Sequence, residues 1–526
     1  MARYTHDDYS QMKMLPISFD RQILPGTFAY TRNYLIDEQV DLGGFNDRDK
    51  NDETGAPAYD PALLLKIVLF AYSKGILHSR KIEPLCRENV VCLALSADAV
   101  PPFTTSADFI SSLAPEITTI FRNGLLVCDE AGLIGKEMFA VDGVTLPSKA
   151  SKEWSGTKAE LKKKGQKRQR AVEHLLSKHQ ANDRGDFDES MHTAADRQLK
   201  TLNRAIEKVE TFLATHEETL GRSGKPIQSH ITDNEAAQMP TAKGVVQGYT
   251  GAASADEQPQ VIVHAEAFGE GQEPGVLVPR LEGTRASFEQ RKLARNILKE
   301  VKLTADAGDS SEAKAASLFD SGVEAYVADT KFRTRDPRFE DAARHKPTRP
   351  DEPFAKPKRD LKCQTKDFPL AADHSHAICP AGKRLYRRGT HKDRGGRQTV
   401  QLRAPLGACR HCPLRAQCLR NPERTRVRQV AFVLGRVAGQ PEKYLTKMPR
   451  KIDSEVGRYE YSRRLGIIEP VFGNIRNTKR LTRFTRRGRR KVNAQWQLYC
   501  LVHNIETIQR HGRLDARTMS GRRRAA

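Results

Sequence analysis

Three acidic residues stand at positions where carboxylates could act on a nucleic acid. Asp142 lies at the end of the short apolar run MFAVDG, residues 138–143, which predicts a buried strand that ends in an acid and a glycine. Asp306 lies near the end of a second strand-like run, VKLTADAG. Glu469 is a polar residue among apolar ones in GIIEPVFGNIR, on the predicted final helical segment. Taken singly, each also has an ordinary explanation as a turn, cap or surface-helix acid.

The chemistry depends on whether these three carboxylates converge. Carboxylates a few ångströms apart repel one another, so at least one would hold a proton with a raised pKa unless cations lay between them. Mg2+ supplies that charge and prefers oxygen ligands. Two such ions about 4 Å apart can activate a water or a 3′-hydroxyl and stabilise the leaving oxygen. Converging acids on a basic protein therefore indicate phosphoryl transfer on a nucleic acid.

Other acids near predicted strands compete for the same role. They are Asp233, Asp256 and Asp329. Asp329 is the strongest competitor, because YVADT also places an acid at the end of an apolar run. LTADAG leads directly into a predicted helix, which favours Asp306, and the family resemblance described below favours it as well.

A second group of residues has the spacing of a metal knuckle. Cys409, Cys412 and Cys418 follow one another closely, and Cys379 precedes them. Four thiolates can bind Zn2+ tetrahedrally, and this loop-rich segment has little apolar material to hold it otherwise. Reduced cysteines without a metal remain the alternative, and other residues could replace one ligand: Cys363, His374, His376 or His411. The remaining four cysteines lie in apolar helical settings and are predicted to be buried thiols: Cys86, Cys92, Cys128 and Cys500.

The charge of the chain predicts a polyanionic partner. Its 88 Lys and Arg exceed its 65 Asp and Glu by 23, and the pI is about 9.6. Such an excess favours phosphate binding through counterion release, although a ribosomal or membrane-surface protein could share it. The stretch TKRLTRFTRRGRRK, residues 478–491, contains eight Lys or Arg and no acid. Its position just beyond Glu469 favours contact with a DNA backbone over a merely solvated face.

The elements that must position these residues can be read from the pattern. Helices are predicted from Pro61 to Ser73, from Ser79 onward, and from Pro115 to Ala131. Strand-like runs, VVQGYTGAASAD and QVIVHAEAF, follow a charged insert at 150–222 whose two amphipathic segments predict a helical hairpin. A helix over 284–300 then precedes VKLTADAG. A strand–helix–strand order of this kind is typical of a layered α/β sheet.

Four segments together resemble the bacterial insertion-sequence transposases of the DDE superfamily. YDPALLLKIVLFAYSKGILHSRKIEPLCREN is similar to the N-terminal helical domain of that family, and FAVDGVTLPSKASKEWSGT to the segment of its first aspartate. LTADAG is similar to the segment of the second aspartate, and YSRRLGIIEPVFGNIR to the signature around the glutamate. The resemblance implies a ribonuclease H-like fold in which Asp142, Asp306 and Glu469 are the catalytic and Mg2+-binding residues, with Mn2+ able to substitute.

The resemblance also assigns roles to basic and aromatic residues. Tyr461 and Arg464 hold fixed positions of the signature and would orient the helix or contact DNA. The chain departs from the family in two places: Arg476 stands where a lysine is usual, and Asp309 where an aromatic residue is frequent. The remaining predicted DNA contacts lie in the basic stretch: Lys479, Arg480, Arg483, Arg486 and Arg487.

These segments predict the organisation of the chain. It begins with a polar segment at 1–58, a helical, DNA-binding domain at 59–134 and a catalytic core at 135–335, which contains the insert at 150–222. A Cys-rich basic insert at 336–454, a helical C-terminal part of the core at 455–510 and a basic tail at 511–526 follow. We expect an α/β protein that cuts double-stranded DNA at terminal inverted repeats and joins it to target DNA, as a homodimer or higher oligomer. The alternatives are a ribonuclease H-like nuclease that does not join strands, or an inactive DNA-binding descendant. Without a signal pattern or a long apolar run, a cytoplasmic, nucleoid-associated location is expected.

Overall fold

The computed structural model describes most of the chain, in two compact units. The described residues are 18–48, 57–182, 189–218, 220, 224, 226, 228–241, 244–269, 277–290, 293–294, 296–306, 312–337, 363–392, 397–436 and 444–512. The larger unit comprises residues 1–330 and 451–526, and the smaller unit residues 331–450. No helix in the described part of the chain is long and apolar enough to cross a membrane.

The larger unit begins with seven helices. They are α1 (Phe19–Gln22), α2 (Phe28–Tyr34), α3 (Pro61–Ser73), α4 (Ser79–Glu88), α5 (Val90–Ser96), α6 (Phe103–Ser112) and α7 (Ile117–Glu130). Helix α3 forms as its end signals predict: Asp60 accepts a hydrogen bond from the Ala62 N–H at 2.8 Å, and Pro61 occupies the first turn. Gly75, at φ 71°, stands just beyond its end.

A six-stranded mixed sheet forms the centre of the larger unit. Its strands lie in the order β4 (Ala237–Thr241), β5 (Gly244–Asp256), β1 (Met138–Pro147), β7 (Lys302–Ala305), β8 (Glu324–Val327), and β6 (Ile262–Phe268) pairs with β5. β1, β7 and β8 are parallel, and β5 runs antiparallel to β1, β4 and β6. The short β2 (Ser155–Gly156) and β3 (Ser229–His230) pair separately. This arrangement confirms the predicted α/β class and is consistent with a ribonuclease H-like fold.

The remaining helices of the larger unit cover this sheet or extend from it. They are α8 (Lys158–Asn182), α9 (Glu189–Thr215), α10 (Leu277–Glu289), α11 (Ile297–Glu300), α12 (Glu312–Asp320), α15 (Glu455–Gly473) and α16 (Arg489–His511). α8 and α9 pack along one another, with Gly165 close to the buried Val209. α16 packs on β6 and on α7, and Trp496 within it donates a hydrogen bond to the Ala252 carbonyl at 2.8 Å.

Two boundaries differ from the prediction. The strand expected to end at Gly143 continues to Pro147, because β5 pairs with it along the whole length from Phe139 to Pro147. Asp142 therefore lies inside β1 rather than at its end. The single helix expected over 284–300 is two helices, α10 and α11, which are separate elements of the fold.

The smaller unit contains a four-stranded antiparallel sheet. Its order is β12 (Gln429–Arg436), β11 (Arg397–Arg403), β10 (Arg384–Lys392), β9 (His376–Ile378), and the one-turn helix α13 (Arg415–Cys418) lies between β11 and β12 in the chain. A small core supports it, formed by Phe368, Ala377, Leu385, Leu402, Ala404 and Val430. Helix α14 (Tyr444–Asp453) includes the boundary between the two units.

Candidate active site

Asp142 and Asp306 lie side by side on neighbouring strands. The parallel register of β1 and β7 pairs Val141 with Ala305, so the residue that follows each of these is an aspartate. Side chains alternate between the two faces of a sheet, and the two aspartates occupy equivalent positions. The two carboxylates are also close enough to interact electrostatically, because the charge of Asp306 raises the pKa of Asp142. The structure thus brings together two of the three predicted acids.

The Asp142 carboxylate is half-buried and already has two protein partners. Its Oδ1 accepts a hydrogen bond from the Gly143 N–H at 2.8 Å, and its Oδ2 lies 2.6 Å from Nη2 of Arg464. Burial raises the pKa of Asp142 to about 6, and Arg464 and the Gly143 N–H oppose that rise. Any further cation nearby would stabilise the ionised form of this carboxyl, because it would compensate the negative charge.

A buried arginine lies near the same carboxylate. It was not among the predicted site residues. Arg280, on α10, is 2% exposed, and its positive charge lowers the pKa of Asp142. Its guanidinium lies over the Phe268 ring, 5.9 Å from the centroid. The only sequence signal was an arginine on the helix face that also carries Leu277, Leu281 and Thr284. Such a charge among buried positions indicates an internal electrostatic role.

Helix α15 is fixed against the sheet by a network of ion pairs. Glu460 lies 2.5 Å from the Lys302 ammonium at the start of β7. Arg463 pairs with Glu460 at 2.8 Å, with Glu137 at 2.9 Å, and with Glu257, to whose Oε1 its Nε donates at 2.8 Å. These contacts tie the helix to the beginning of β1 and β7 and to the end of β5. One residue later, Arg464 reaches Asp142.

Glu469 lies farther along the same helix and is not grouped with the two aspartates closely enough for the three to hold a metal ion as they stand. It is five residues beyond Arg464, which corresponds to about 7.5 Å along a helix axis. Its side chain is exposed, while its neighbours Ile467 and Ile468 are buried. In the part of the chain that is described, no three His, Cys, Asp or Glu side chains are grouped closely enough to hold a metal ion.

The competing acids have local structural partners or a different place in the sheet. Asp256 accepts hydrogen bonds from the backbone N–H groups of Gly135, Lys136 and Gln258, at 2.9 to 3.1 Å. Asp233 accepts one from the Tyr249 hydroxyl at 2.6 Å. Asp329 follows β8, which pairs with β7 and not with β1.

Two segments of the chain match models of known protein families. Residues 378–509 match the Transposase DDE domain, and residues 17–112 match the Transposase domain (DUF772). Both of these matched families are transposase families. The DDE-domain match includes Arg464 and Glu469, whereas Asp142 and Asp306 precede it. No curated protein matches the chain.

The residues predicted to contact DNA fall into two groups. Arg464 and Lys479 are buried, and Lys479 donates to Glu506 at 2.6 Å and to the Asn474 side chain at 2.9 Å. Both cations therefore face protein partners. The others are exposed or half-buried, and three of them bond to neighbouring segments: Arg483 donates to the Ser148 carbonyl, Arg486 to the Ser111 hydroxyl on α6 and Arg487 to the Lys149 carbonyl. The exposed or half-buried residues are Tyr461, Arg476, Arg480, Arg483, Arg486 and Arg487.

The cysteines divide as expected between buried helices and the smaller unit. Cys86, Cys92, Cys128 and Cys500 are buried in the larger unit. In the smaller unit the four predicted metal-site cysteines line one cavity, and Cys363 lines it with them. The histidines considered as substitute ligands do not line that cavity, and Asp309 lies outside the described residues.

Proposed function

We propose that the chain catalyses divalent-metal-dependent DNA cleavage at insertion-sequence ends and strand transfer into target DNA. The observation that carries the proposal is the side-by-side placement of Asp142 and Asp306 on β1 and β7. The two family matches support a transposase, and the two aspartates supply a place for its chemistry. Glu469, on the anchored helix α15, is the proposed third carboxylate.

The residues at this place suit Mg2+. Mg2+ is commonly bound through one or two carboxylates, with waters and substrate phosphates completing its coordination. Two adjacent aspartates meet that need, and the raised pKa of Asp142 identifies a carboxylate whose ionised form lacks full compensation. When bound, a pair of Mg2+ ions would supply Lewis-acid activation of the attacking oxygen and stabilisation of the leaving oxygen.

The chain's own residues would hold and orient the site. Asp142 and Asp306 present carboxylate oxygens from a rigid sheet. Arg464 fixes one oxygen of Asp142 and so acts as a positioning residue. The ion pairs of Arg463 and Glu460 hold α15 in place. Preorganisation of this kind lowers the cost of assembling charged groups at the moment of reaction.

Double-stranded DNA is the proposed partner, with the exposed basic side chains as contacts to its backbone. Arg476, Arg480, Arg483 and Arg487 are exposed cations that follow Glu469 in the chain. Phosphate contacts position a duplex without reading its sequence. Recognition of the terminal repeats is therefore assigned to the helices within residues 59–134, and an assembly of two or more chains would hold two ends.

A strand-transfer assay tests this function against its two alternatives. The full chain would be incubated with labelled element ends, target DNA and Mg2+. We expect cleaved ends and joined products, both lost on Asp306→Ala. Cleavage without joining would instead identify a nuclease. Binding with neither reaction, under Mg2+ and under Mn2+, would identify an inactive DNA-binding protein.

A further inference from the structure

The smaller unit contains one cavity surrounded by sulfur. Five of its lining residues are cysteines, and the space amounts to about 20 Å3. A space of roughly that size accommodates a single water-sized guest. None of the five forms a disulfide, and all are half-buried. They are Cys363, Cys379, Cys409, Cys412 and Cys418.

The backbone around these cysteines is held by two arginines. Arg428 donates to the carbonyls of Cys418 and Cys363, each at 2.9 Å, and thereby ties two distant segments together. Arg415 donates to the Cys409 carbonyl at 2.6 Å. Because these bonds use main-chain oxygens, they fix the cysteines without occupying their sulfur atoms. The guanidinium groups also bring positive charge toward a site where thiolates would collect.

Cys379 lies in a turn that directs a backbone N–H at its sulfur atom. The Lys383 N–H donates to Cys379 Sγ at 3.2 Å, and the Cys379 N–H donates to the Lys383 carbonyl at 2.8 Å. Gly382, at φ 73°, permits the turn. An N–H directed at sulfur stabilises negative charge on it, as hydrogen bonds to ionised acceptors do generally.

In the described part of the smaller unit, six buried residues form one apolar cluster, and four of the five cysteines pack against it: Cys363, Cys379, Cys409 and Cys418. Domains with a small core often gain stability from a structural metal. A metal at the cavity would join residues 363–379 to residues 409–418.

We propose that this cavity binds one structural Zn2+ through Cys379, Cys409, Cys412 and Cys418. Structural zinc sites take four tetrahedral ligands, and two cysteines separated by two residues, as Cys409 and Cys412 are, form the usual chelating pair. As the side chains stand, no three described ligands are grouped closely enough for coordination, so binding would require their side chains to reorient. Cys363, which hydrogen-bonds to Cys418, is the fifth cysteine of the cavity and is not assigned as a ligand.

The charge of the proposed zinc site suits four thiolate ligands better than five. Four thiolates on Zn2+ leave a net charge of −2, which the nearby Arg428 and Arg415 offset. A fifth thiolate would add negative charge without adding a ligand that a tetrahedral ion requires. Cys363 hydrogen-bonds to Cys418, in the manner of the partners that orient metal ligands elsewhere.

The test is the metal content of the purified full chain, which does not depend on the proposed DNA reaction. Elemental analysis after expression with zinc should give about one equivalent per chain, and Co2+-exchanged protein should show the absorption of tetrahedral thiolate coordination. Cys412→Ser should reduce zinc to below about half an equivalent. Cys363→Ser should retain it, as should the control Cys128→Ser, which alters a buried thiol of the larger unit.

Each other outcome contradicts the proposal. Less than about half an equivalent of zinc in the unmodified chain would overturn the site, whatever the variants do. Loss of zinc in Cys363→Ser with retention in Cys412→Ser would overturn the ligand assignment. Near-ultraviolet circular dichroism of every variant ensures that a loss of zinc is not a loss of the fold.

Discussion

Arg464 places its Nη2 2.6 Å from Oδ2 of Asp142 and so joins helix α15 to the central strand of the sheet. This ion pair is largely shielded from solvent, since the Arg464 side chain is 6% exposed and that of Asp142 is 22% exposed. Asp142 consequently depends on α15 for charge compensation, and α15 in turn is held by the ion pairs of Arg463 and Glu460. The position of the helix and the state of the carboxylate are thus coupled.

Removing this arginine should impair the chemistry more than DNA binding. We expect Arg464→Met to lower the single-turnover rate of DNA cleavage by about 10- to 100-fold, as removal of a group that orients a metal ligand commonly does. Arg464→Lys should recover part of the rate. Because loss of the guanidinium raises the pKa of Asp142 further, the pH–rate profile should move to higher pH. An unchanged rate and profile in Arg464→Met would remove Arg464 from the site.

Gly143 should not tolerate a side chain. A methyl group there would lie 2.7 Å from Cγ2 of Thr250 and 3.0 Å from Nη2 of Arg280. Overpacking of this kind costs about 1–3 kcal/mol, so Gly143→Ala should lower the free energy of unfolding by that amount. The matched control is Gly466→Ala on α15, where an added methyl meets nothing within 4 Å. That variant should be neutral or stabilised by up to about 1 kcal/mol in urea titrations; equal effects at both positions would contradict the packing argument.

Lys479 should matter for stability rather than for DNA affinity. It is fully buried, and its ammonium bonds to Glu506 at 2.6 Å. Removing one member of a buried pair leaves the other uncompensated and costs about 3–5 kcal/mol, which is the expected loss for Lys479→Met in chemical denaturation. The exposed Arg490 provides the control, since Arg490→Met should change stability by less than about 0.5 kcal/mol. A stable Lys479→Met with a weakened, salt-dependent DNA complex would show that Lys479 contacts phosphate instead.

His503 should make the stability of the fold fall in mild acid. Burial lowers the pKa of His503 to about 4, and the ring is held neutral between the Gln260 carbonyl, 2.9 Å from Nε2, and the Asn474 amide, 3.0 Å from Nδ1. A proton on Nδ1 would face the Asn474 N–H. The folded protein binds this proton less readily than the unfolded chain, whose histidine pKa is about 6.5. The stability from this group is therefore complete above pH of about 6.5 and is lost as the pH falls toward 4.

The measurement is the free energy of unfolding of the wild type and of His503→Gln between pH 7 and pH 4. The advantage of the wild type should shrink by up to about 3 kcal/mol across that interval, the equivalent of the pKa difference. A constant difference between the two proteins would mean that His503 does not titrate in this range.

Local signals allowed part of the fold to be predicted from the sequence. Helix α3 begins and ends where Asp60, Pro61 and Gly75 indicate, because those residues act on the backbone nearest to them. The limit of β1 could not be found in that way. Asp142 and Gly143 resemble a strand end, but pairing with β5 carries the strand past them to Pro147.

The sheet of the smaller unit was not predicted, for a related reason. Its strands are rich in Arg and Lys, and few of their side chains are fully buried, among them Leu385, Val400 and Leu402. Alternation between apolar and polar residues is therefore too weak to predict strands. Their pairing arises between segments of the chain, as the register of β11 with β12 illustrates.

The candidate site, too, could be predicted only in part from local sequence signals. The strand–helix–strand pattern gave reason to place Asp142 and Asp306 together, since parallel neighbours align equivalent positions. The distance of Glu469 from them could not be deduced, because it is set by contacts between distant residues such as Lys302 and Glu460. Arg280 likewise acquires its role only through the packing of α10 on the sheet.

The most direct test of the central claim compares isosteric replacements of four acids in one cleavage assay with Mg2+. Asp142→Asn, Asp306→Asn and Glu469→Gln should each reduce single-turnover cleavage of element ends by about 1,000-fold or more, since each removes a carboxylate proposed to hold the ions. Asp329→Asn, on the neighbouring strand end, should cleave at the wild-type rate, and all four variants should bind the DNA normally. Wild-type cleavage by Asp306→Asn together with loss of cleavage in Asp329→Asn would contradict the site on β1 and β7.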